Sequence, residues 1–239
     1  MLGVEVEAAG YRVEMVQGLD RLEPIERDTT PGVIAGRIRD RILDGTFAGG
    51  TQLGEARLAS RLNVSRGPVR EALQRLVQEG LLRNERNRGV FVVSLDEQDI
   101  VDVYRARVAI ERAAVRALVR RTDKEVLGTL EALVGRMAEA ARADDWDSCA
   151  DLDLRFHEAL VGSSHSERLQ RMFSTLIAET RMCLVALEPA YASCRDLVEE
   201  HRTLLDALRR GNEREVTDLI ERHLEQAVGD LTGTATPLI

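Results

Sequence analysis

The stretch from Asn63 to Val93, NVSRGPVREALQRLVQEGLLRNERNRGVFVV, changes its hydrophobic period part-way along, and that change limits what the chain can fold into. Val69, Ala72, Leu73 and Leu76 recur three and four apart, as one face of a helix does. Ser65 stands where an N-cap belongs, without the Glu or Gln three residues on that would complete a capping box. Gly80 stands where the helix should stop. The β-formers Val90, Phe91, Val92 and Val93 then follow the turn residues of RNERNRG, which reads as two short strands joined by a tight turn. A helix that runs straight into a two-stranded hairpin is compatible with few architectures.

The residues upstream narrow the choice. A first helix is expected from about Pro31, with Thr30 as its N-cap and proline in the first helical position. Ile34, Ile38, Ile42 and Leu43 give it an apolar face, and the glycines of DGTFAGG end it. A second, short helix covers about Glu55–Leu62 with Leu58, Ala59 and Leu62 inward, and NVS is a three-residue turn. Helix, helix, turn, helix, hairpin across residues 31–94 is the layout of a winged helix-turn-helix, whose third helix is the recognition helix. Residues 95–232 carry helical periodicity almost throughout, broken at Arg121–Asp123, Ala143–Asp147, Gly162–Ser166, Glu188–Ala190 and Gly211–Asn212. These breaks predict an antiparallel bundle of about six helices. The fold class is therefore mainly α. Residues 1–30, without sustained periodicity, are expected to form a flexible arm, and residues 233–239 a tail.

Charge divides the chain in the same places. Residues 31–93 hold 11 Arg against 6 acidic residues, a balance of +5, although the whole chain stands at −8. A small basic module beside an acidic one suggests a nucleic-acid reader joined to something else. No apolar run is long enough to span a bilayer, so no membrane partner is expected. Glu5, Glu7 and Glu14 do not fit the basic-then-apolar order of a signal peptide. The 3 cysteines (Cys149, Cys183 and Cys194) lack metal-type spacing and read as reduced thiols of a cytoplasmic protein.

Arg66 and Arg70 lie beside the apolar stripe of the third helix, in its N-terminal half, where a recognition helix meets base edges. An arginine fork can bond guanine O6 and N7 together. Ser65 and the helix N-terminus suit a phosphate, and Gly67 leaves room for close approach. Charge on a helix is more often a solvated face; the tri-helical layout and the hairpin favour the functional reading here. In the second half, Asp153 and His157 are one turn apart, while His201 and His223 each fall in an apolar stripe. A lone histidine on such a face is usually a satisfied core residue. Three with a matched carboxylate suit Zn²⁺, and also Ni²⁺, Co²⁺ or Mn²⁺, in a bundle core. His165, in the turn GSSHSE, is expected at the surface. Arg107 and Glu111 are also one turn apart and can pair within their helix.

The stretch LGEARLASRLNVSRGPVREALQRLVQEGLLRNERNRGVFV resembles the DNA-binding domain of the GntR family of bacterial transcription regulators. DIVDVYRARVAIERAAVRAL, DLRFHEAL, EEHRTLLDAL and ERHLEQAV resemble the FCD effector domain of the FadR-type subfamily. The resemblance implies that Arg66, Gly67 and Arg70 contact operator DNA, together with Ser65 and the wing residues Arg88 and Gly89, with Gly89 at the wing tip. Arg57 joins them on the second helix, although the family's arginine stands one position earlier, where this chain has Ala56. It also implies that Asp153, His157, His201 and His223 are the metal ligands, and that Arg107 grips a small carboxylic-acid effector.

The function expected from these readings is that of a ligand-responsive transcription regulator: a repressor acting as a homodimer on operator DNA, with a divalent metal, Zn first, and no enzymatic activity. Two alternatives remain at this point, a metal-dependent hydrolase-like helical domain and a DNA-binding protein with a purely structural metal. HExxH, G-x-S-x-G and a phosphate loop are all missing from the sequence.

Overall fold

The structure is a computed structural model, and it describes residues 30–121, 123–186, 193–234 and 236–238. Residues 1–29 of the expected arm (1–30) and the break at Glu188–Ala190 lie outside the described residues, while Thr30 is helical. The order of elements is α1 (Thr30–Leu43), α2 (Glu55–Leu62), α3 (Arg66–Gln78), β1 (Leu82–Glu85), β2 (Gly89–Val92), then α4 (Glu97–Arg121), α5 (Lys124–Arg142), α6 (Trp146–Gly162), α7 (Glu167–Ala186), α8 (Cys194–Arg210) and α9 (Glu213–Thr232). The fold is mainly helical, with a winged helix-turn-helix followed by a helical bundle.

In the winged helix, Ile34, Ala35, Ile38 and Ile42 of α1 face Val69, Ala72, Leu73 and Leu76 of α3, with Leu81, Leu82 and Val92 closing the core beneath the hairpin. The spacing of those residues makes each helix bury one stripe. Thr30 already lies in the helix α1, where the sequence placed its cap. α2 is capped by Asn63, whose left-handed backbone (φ 53°) returns the chain so that Val64 N–H donates to Ala59 O. Ser65 occupies the cap of α3 in extended backbone, but its hydroxyl makes no capping hydrogen bond. Pro68 falls in the first turn, where its missing N–H is no loss. β1 and β2 pair antiparallel with Glu85 opposite Gly89, leaving Arg86, Asn87 and Arg88 as the loop. Gly89 therefore opens β2 and does not form the wing tip, which belongs to residues 86–88. Its φ of 101° needs a glycine. The segment before α2 braces the hairpin: Leu53 N–H donates to Val90 O, and Val92 N–H to Thr51 O.

In the bundle, α4 is central and packs against α6, α7 and α9, while α5 packs against α6 and α8. Side chains satisfy the first turns of several helices: Asp123 accepts from Glu125 and Val126 N–H, Asp145 from Ser148 N–H, Ser193 from Arg195 N–H and Asn212 from Glu215 N–H. Leu238 is buried and pinned, its N–H donating to Glu225 and its carbonyl accepting from Arg105. The three cysteines are free thiols.

α7 touches both halves. Ala178 and Met182 pack against the winged-helix core, and α7 also packs against α4 and α6. Gly80, with φ +81°, lies so close to α7 that a Cβ there would stand 2.8 Å from Thr175 Cγ2. Among the described residues no helix is long and apolar enough to cross a membrane.

Candidate functional site: a recognition helix and a buried histidine cluster

The DNA-facing candidates Arg57, Ser65, Arg66, Gly67, Arg70, Arg88 and Gly89 are all exposed, whereas the stripe of α3 beside them is buried. A Cβ on Gly67 would meet nothing within 4 Å, so that face of α3 is open. Arg70 has a partner that sequence reading missed. Its Nε and Nη2 donate to the two carboxylate oxygens of Glu55, at 2.8 and 2.7 Å, across the turn from α3 to α2. That bidentate pair fixes the plane of the guanidinium. The Arg70 hydrogen bond and the charge of Arg70 and Arg66 hold the Glu55 carboxyl below its ordinary range. At the wing, Arg88 donates to Glu85 and lies over the Phe91 ring at 5.3 Å. Arg86, in the same exposed loop, is a further cation that the sequence reading did not single out.

The second constellation is internal. Asp153 and His157 on α6, His201 on α8 and His223 on α9 offer ligand atoms that all lie within 4.8 Å of one another, and all four residues are buried. Each imidazole is oriented from behind. The Nδ1–H of His157 donates to Glu111 Oε2 (2.5 Å), that of His201 to the Leu197 carbonyl (2.8 Å) and that of His223 to Glu200 Oε2 (2.7 Å). With an oxygen acceptor at every Nδ1, every Nε2 is left facing the centre. There His201 Nε2 is 3.1 Å and His157 Nε2 3.5 Å from Asp153 Oδ1, and the Nε2 atoms of His157 and His223 are 3.1 Å apart. Phe156 meets the His201 ring edge-on at 4.6 Å and walls the cluster. Of these residues, Glu200 could not be singled out from spacing, because its link to His223 depends on how α8 lies on α9.

Asp153 Oδ1 and His201 Nε2 are buried without a hydrogen-bond partner, which is costly for polar atoms cut off from water. Burial opposes ionisation of Asp153, but His157 and His201 beside it prevail and hold its carboxyl well below the usual range. Burial lowers the pKa of His157, yet Glu111 and Asp153 together outweigh it and the net effect is a rise to about 9. His223 is pushed down, chiefly by burial. Three imidazole nitrogens and one carboxylate oxygen, two of them orphaned, fit a divalent cation of the Zn²⁺, Ni²⁺ or Mn²⁺ class.

Arg107 is 1% exposed. Its Nε donates to Glu111 Oε1 at 3.0 Å, so the expected intrahelical pair is present, and its guanidinium stacks on the Tyr104 ring at 4.9 Å. Its Nη2 is a buried donor without a partner. A cleft of about 350 Å³ between α8 and α9 is lined by Glu200, Thr203, Arg222 and His223 among others, so of the cluster it reaches His223.

Comparison with known proteins decides the family. The profile of the bacterial regulatory proteins of the gntR family matches residues 32–92, and that of the FCD domain matches residues 102–226. The chain belongs to the GntR family, with an FCD domain. It is 33% identical, over 80% of its length and 81% of the relative's, to the HTH-type transcriptional regulator BphR of Paraburkholderia xenovorans. It is 28% identical, over 90% of its length and 88% of the relative's, to the gluconate operon transcriptional repressor of Bacillus licheniformis. Among solved structures, a GntR transcriptional regulator from Rhodococcus sp. RHA1 superposes with a TM-score of 0.73 at 30% identity, covering 86% of this chain and 99% of that one. E. coli McbR/YncC shares the fold, with a TM-score of 0.71 at 22% identity over 87% and 99% of the two chains. This GntR-family chain is thus a transcriptional regulator and not an enzyme, which disposes of the hydrolase alternative.

Proposed function

We propose that this regulator is a repressor that binds operator DNA as a homodimer through residues 31–94 and senses a small carboxylate in residues 95–232, beside a divalent metal held by Asp153, His157, His201 and His223. Arg66 and Arg70 read bases, Ser65, Gly67 and Arg57 allow or make backbone contacts, and Arg88 and Gly89 belong to the wing. Arg107 holds the carboxylate of the effector. The name of the gluconate operon transcriptional repressor of B. licheniformis supports the sign of regulation.

The observation that carries this reading is the pair of unmet needs in one bundle core: buried ligand atoms without partners at the cluster and a buried guanidinium N–H without an acceptor at Arg107. Charge supports it as well. In the metal-free core the cations Arg107 and protonated His157 match the anions Glu111 and Asp153. Replacing the His157 proton with a divalent ion makes the core one unit more positive, which shifts its preference toward an anionic ligand. The metal supplies a Lewis-acid centre to which a carboxylate oxygen can add.

The test is metal analysis of purified protein, followed by operator titration with and without small carboxylates such as gluconate and lactate, on wild type and His201→Ala. The expected result is metal in wild type alone and a carboxylate that weakens operator binding of wild type alone. Linkage requires operator to weaken carboxylate binding by the same factor. Metal in wild type together with an operator affinity that no carboxylate changes in either protein would support the purely structural metal instead.

A further inference from the structure

Glu111 belongs to neither the DNA interface nor the metal donor set, yet it touches the groups that define both ligand requirements of the core. It is wholly buried, and its two oxygens point different ways, Oε1 accepting from Arg107 Nε and Oε2 from His157 Nδ1. The other two histidines are held differently. His201 is held by a carbonyl of its own helix, and His223 by Glu200, whose side chain is 38% exposed on the α8–α9 cleft. α4 supplies none of the four donors, so Glu111 is what ties that helix to them among the described hydrogen bonds. α4 is also the helix that leads back, through residues 93–96, to the wing.

We infer that Glu111 is the positioning residue of this core: one carboxylate that aims His157 Nε2 at the metal and, through its other oxygen, sets the guanidinium of Arg107 that receives the effector. This rests on the metal reading above. A single anion shared by two donors cannot answer one without the other. A bound carboxylate that draws the Arg107 guanidinium toward itself leaves Glu111 more fully to His157, which makes that imidazole a stronger donor to the metal. Effector and metal then favour each other's binding, and the shared residue is the joint between them.

Glu111→Gln keeps the shape and removes the double acceptor. A glutamine must turn its amide N–H toward either Arg107 or His157, so a donor meets a donor. The experiment measures zinc affinity by competition with a chromophoric chelator, and the 1H–15N resonance of the His157 Nδ1–H, in wild type, Glu111→Gln and the double variant Arg107→Leu/Glu111→Gln. The expected result is zinc binding weakened roughly 10–100-fold in Glu111→Gln, with the resonance displaced. In the double variant the glutamine oxygen is free to face His157, so part of the affinity returns. A residue that only fills space predicts the same zinc affinity and the same resonance in all three proteins, and that result would overturn the inference. If the single variant does not fold, the double variant decides alone, because it removes both buried charges together. A resonance and affinity there equal to wild type overturn the inference, and a shifted resonance with weaker zinc binding supports it. Failure of the metal reading itself looks different: wild type would take up no zinc.

Discussion

Arg70 has two possible partners, and the competition between them gives the protein a test at single-residue resolution. In the free protein its fork is taken by Glu55. Both side chains are partly in water, so the pair is weak and can be exchanged for a guanine edge at little cost. Arg70→Ala should reduce affinity for operator roughly 5- to 150-fold while affecting scrambled DNA much less; titrating both at one salt concentration checks this, and an unchanged ratio would show that Arg70 reads no sequence. His157 gives a second test, with a definite sign. Its pKa in the folded protein is raised to about 9, above the ordinary 6.5. In metal-stripped protein its contribution to stability is therefore fully present below about pH 6.5 and is lost as pH rises through 9. Metal needs the proton gone from Nε2, so zinc affinity should climb over the same interval, with proton release on loading. Melting curves in chelator and zinc titrations at pH 6, 7.5 and 9 should move in opposite directions; parallel trends would remove His157 from the donor set.

At the scale of elements, the glycine after α3 is the sharpest probe. Gly80 combines a left-handed φ with a 2.8 Å approach to Thr175, so Gly80→Ala should destabilise by about 1–3 kcal/mol and loosen the seat of α3 on α7. Gly128, exposed within α5 with nothing near its missing Cβ, should behave oppositely, Gly128→Ala stabilising by about 0.5–1 kcal/mol. Calorimetry on the two variants reads both, and equal shifts would refute the strain argument. These elements also show what the sequence could tell. The stripes Val69–Leu76 and Ile34–Ile42 and the β-formers Val90–Val93 were legible because burial of one face imposes a period on the chain itself. Asp153 and His157 were legible for the same reason, being neighbours on one turn. What stayed hidden depends on how elements cross: Glu111 meets His157 across 46 positions, Glu200 meets His223 across 23 and Thr175 meets Gly80 across domains. The Ser65 hydroxyl makes no capping bond, although its position is the cap, because residue type reports a preference and not a contact.

For the whole molecule, the four proposed ligands come from three helices that only folding brings together, so a metal held there should raise the melting temperature by mass action. His201→Ala should lose that rise; thermal scans with added zinc on both proteins measure it. Paired copies should place recognition helices about 10 base pairs apart or a short multiple of that. Sedimentation with half-site and full-site DNA tests this, and a monomer that binds both equally well would refute it. The contact of α7 with the winged-helix core also bears on modularity. Ala178 and Met182 share the apolar surface of the reader, and Thr175 fits against Gly80. The bundle and the winged helix are thus not beads on a string. A chimera spliced at residues 93–96, with another family member's sensor attached, would carry a foreign α7 face beneath this reader. Its DNA binding would follow the donor's ligand only if residues 175, 178 and 182 of this chain were transplanted back with the splice.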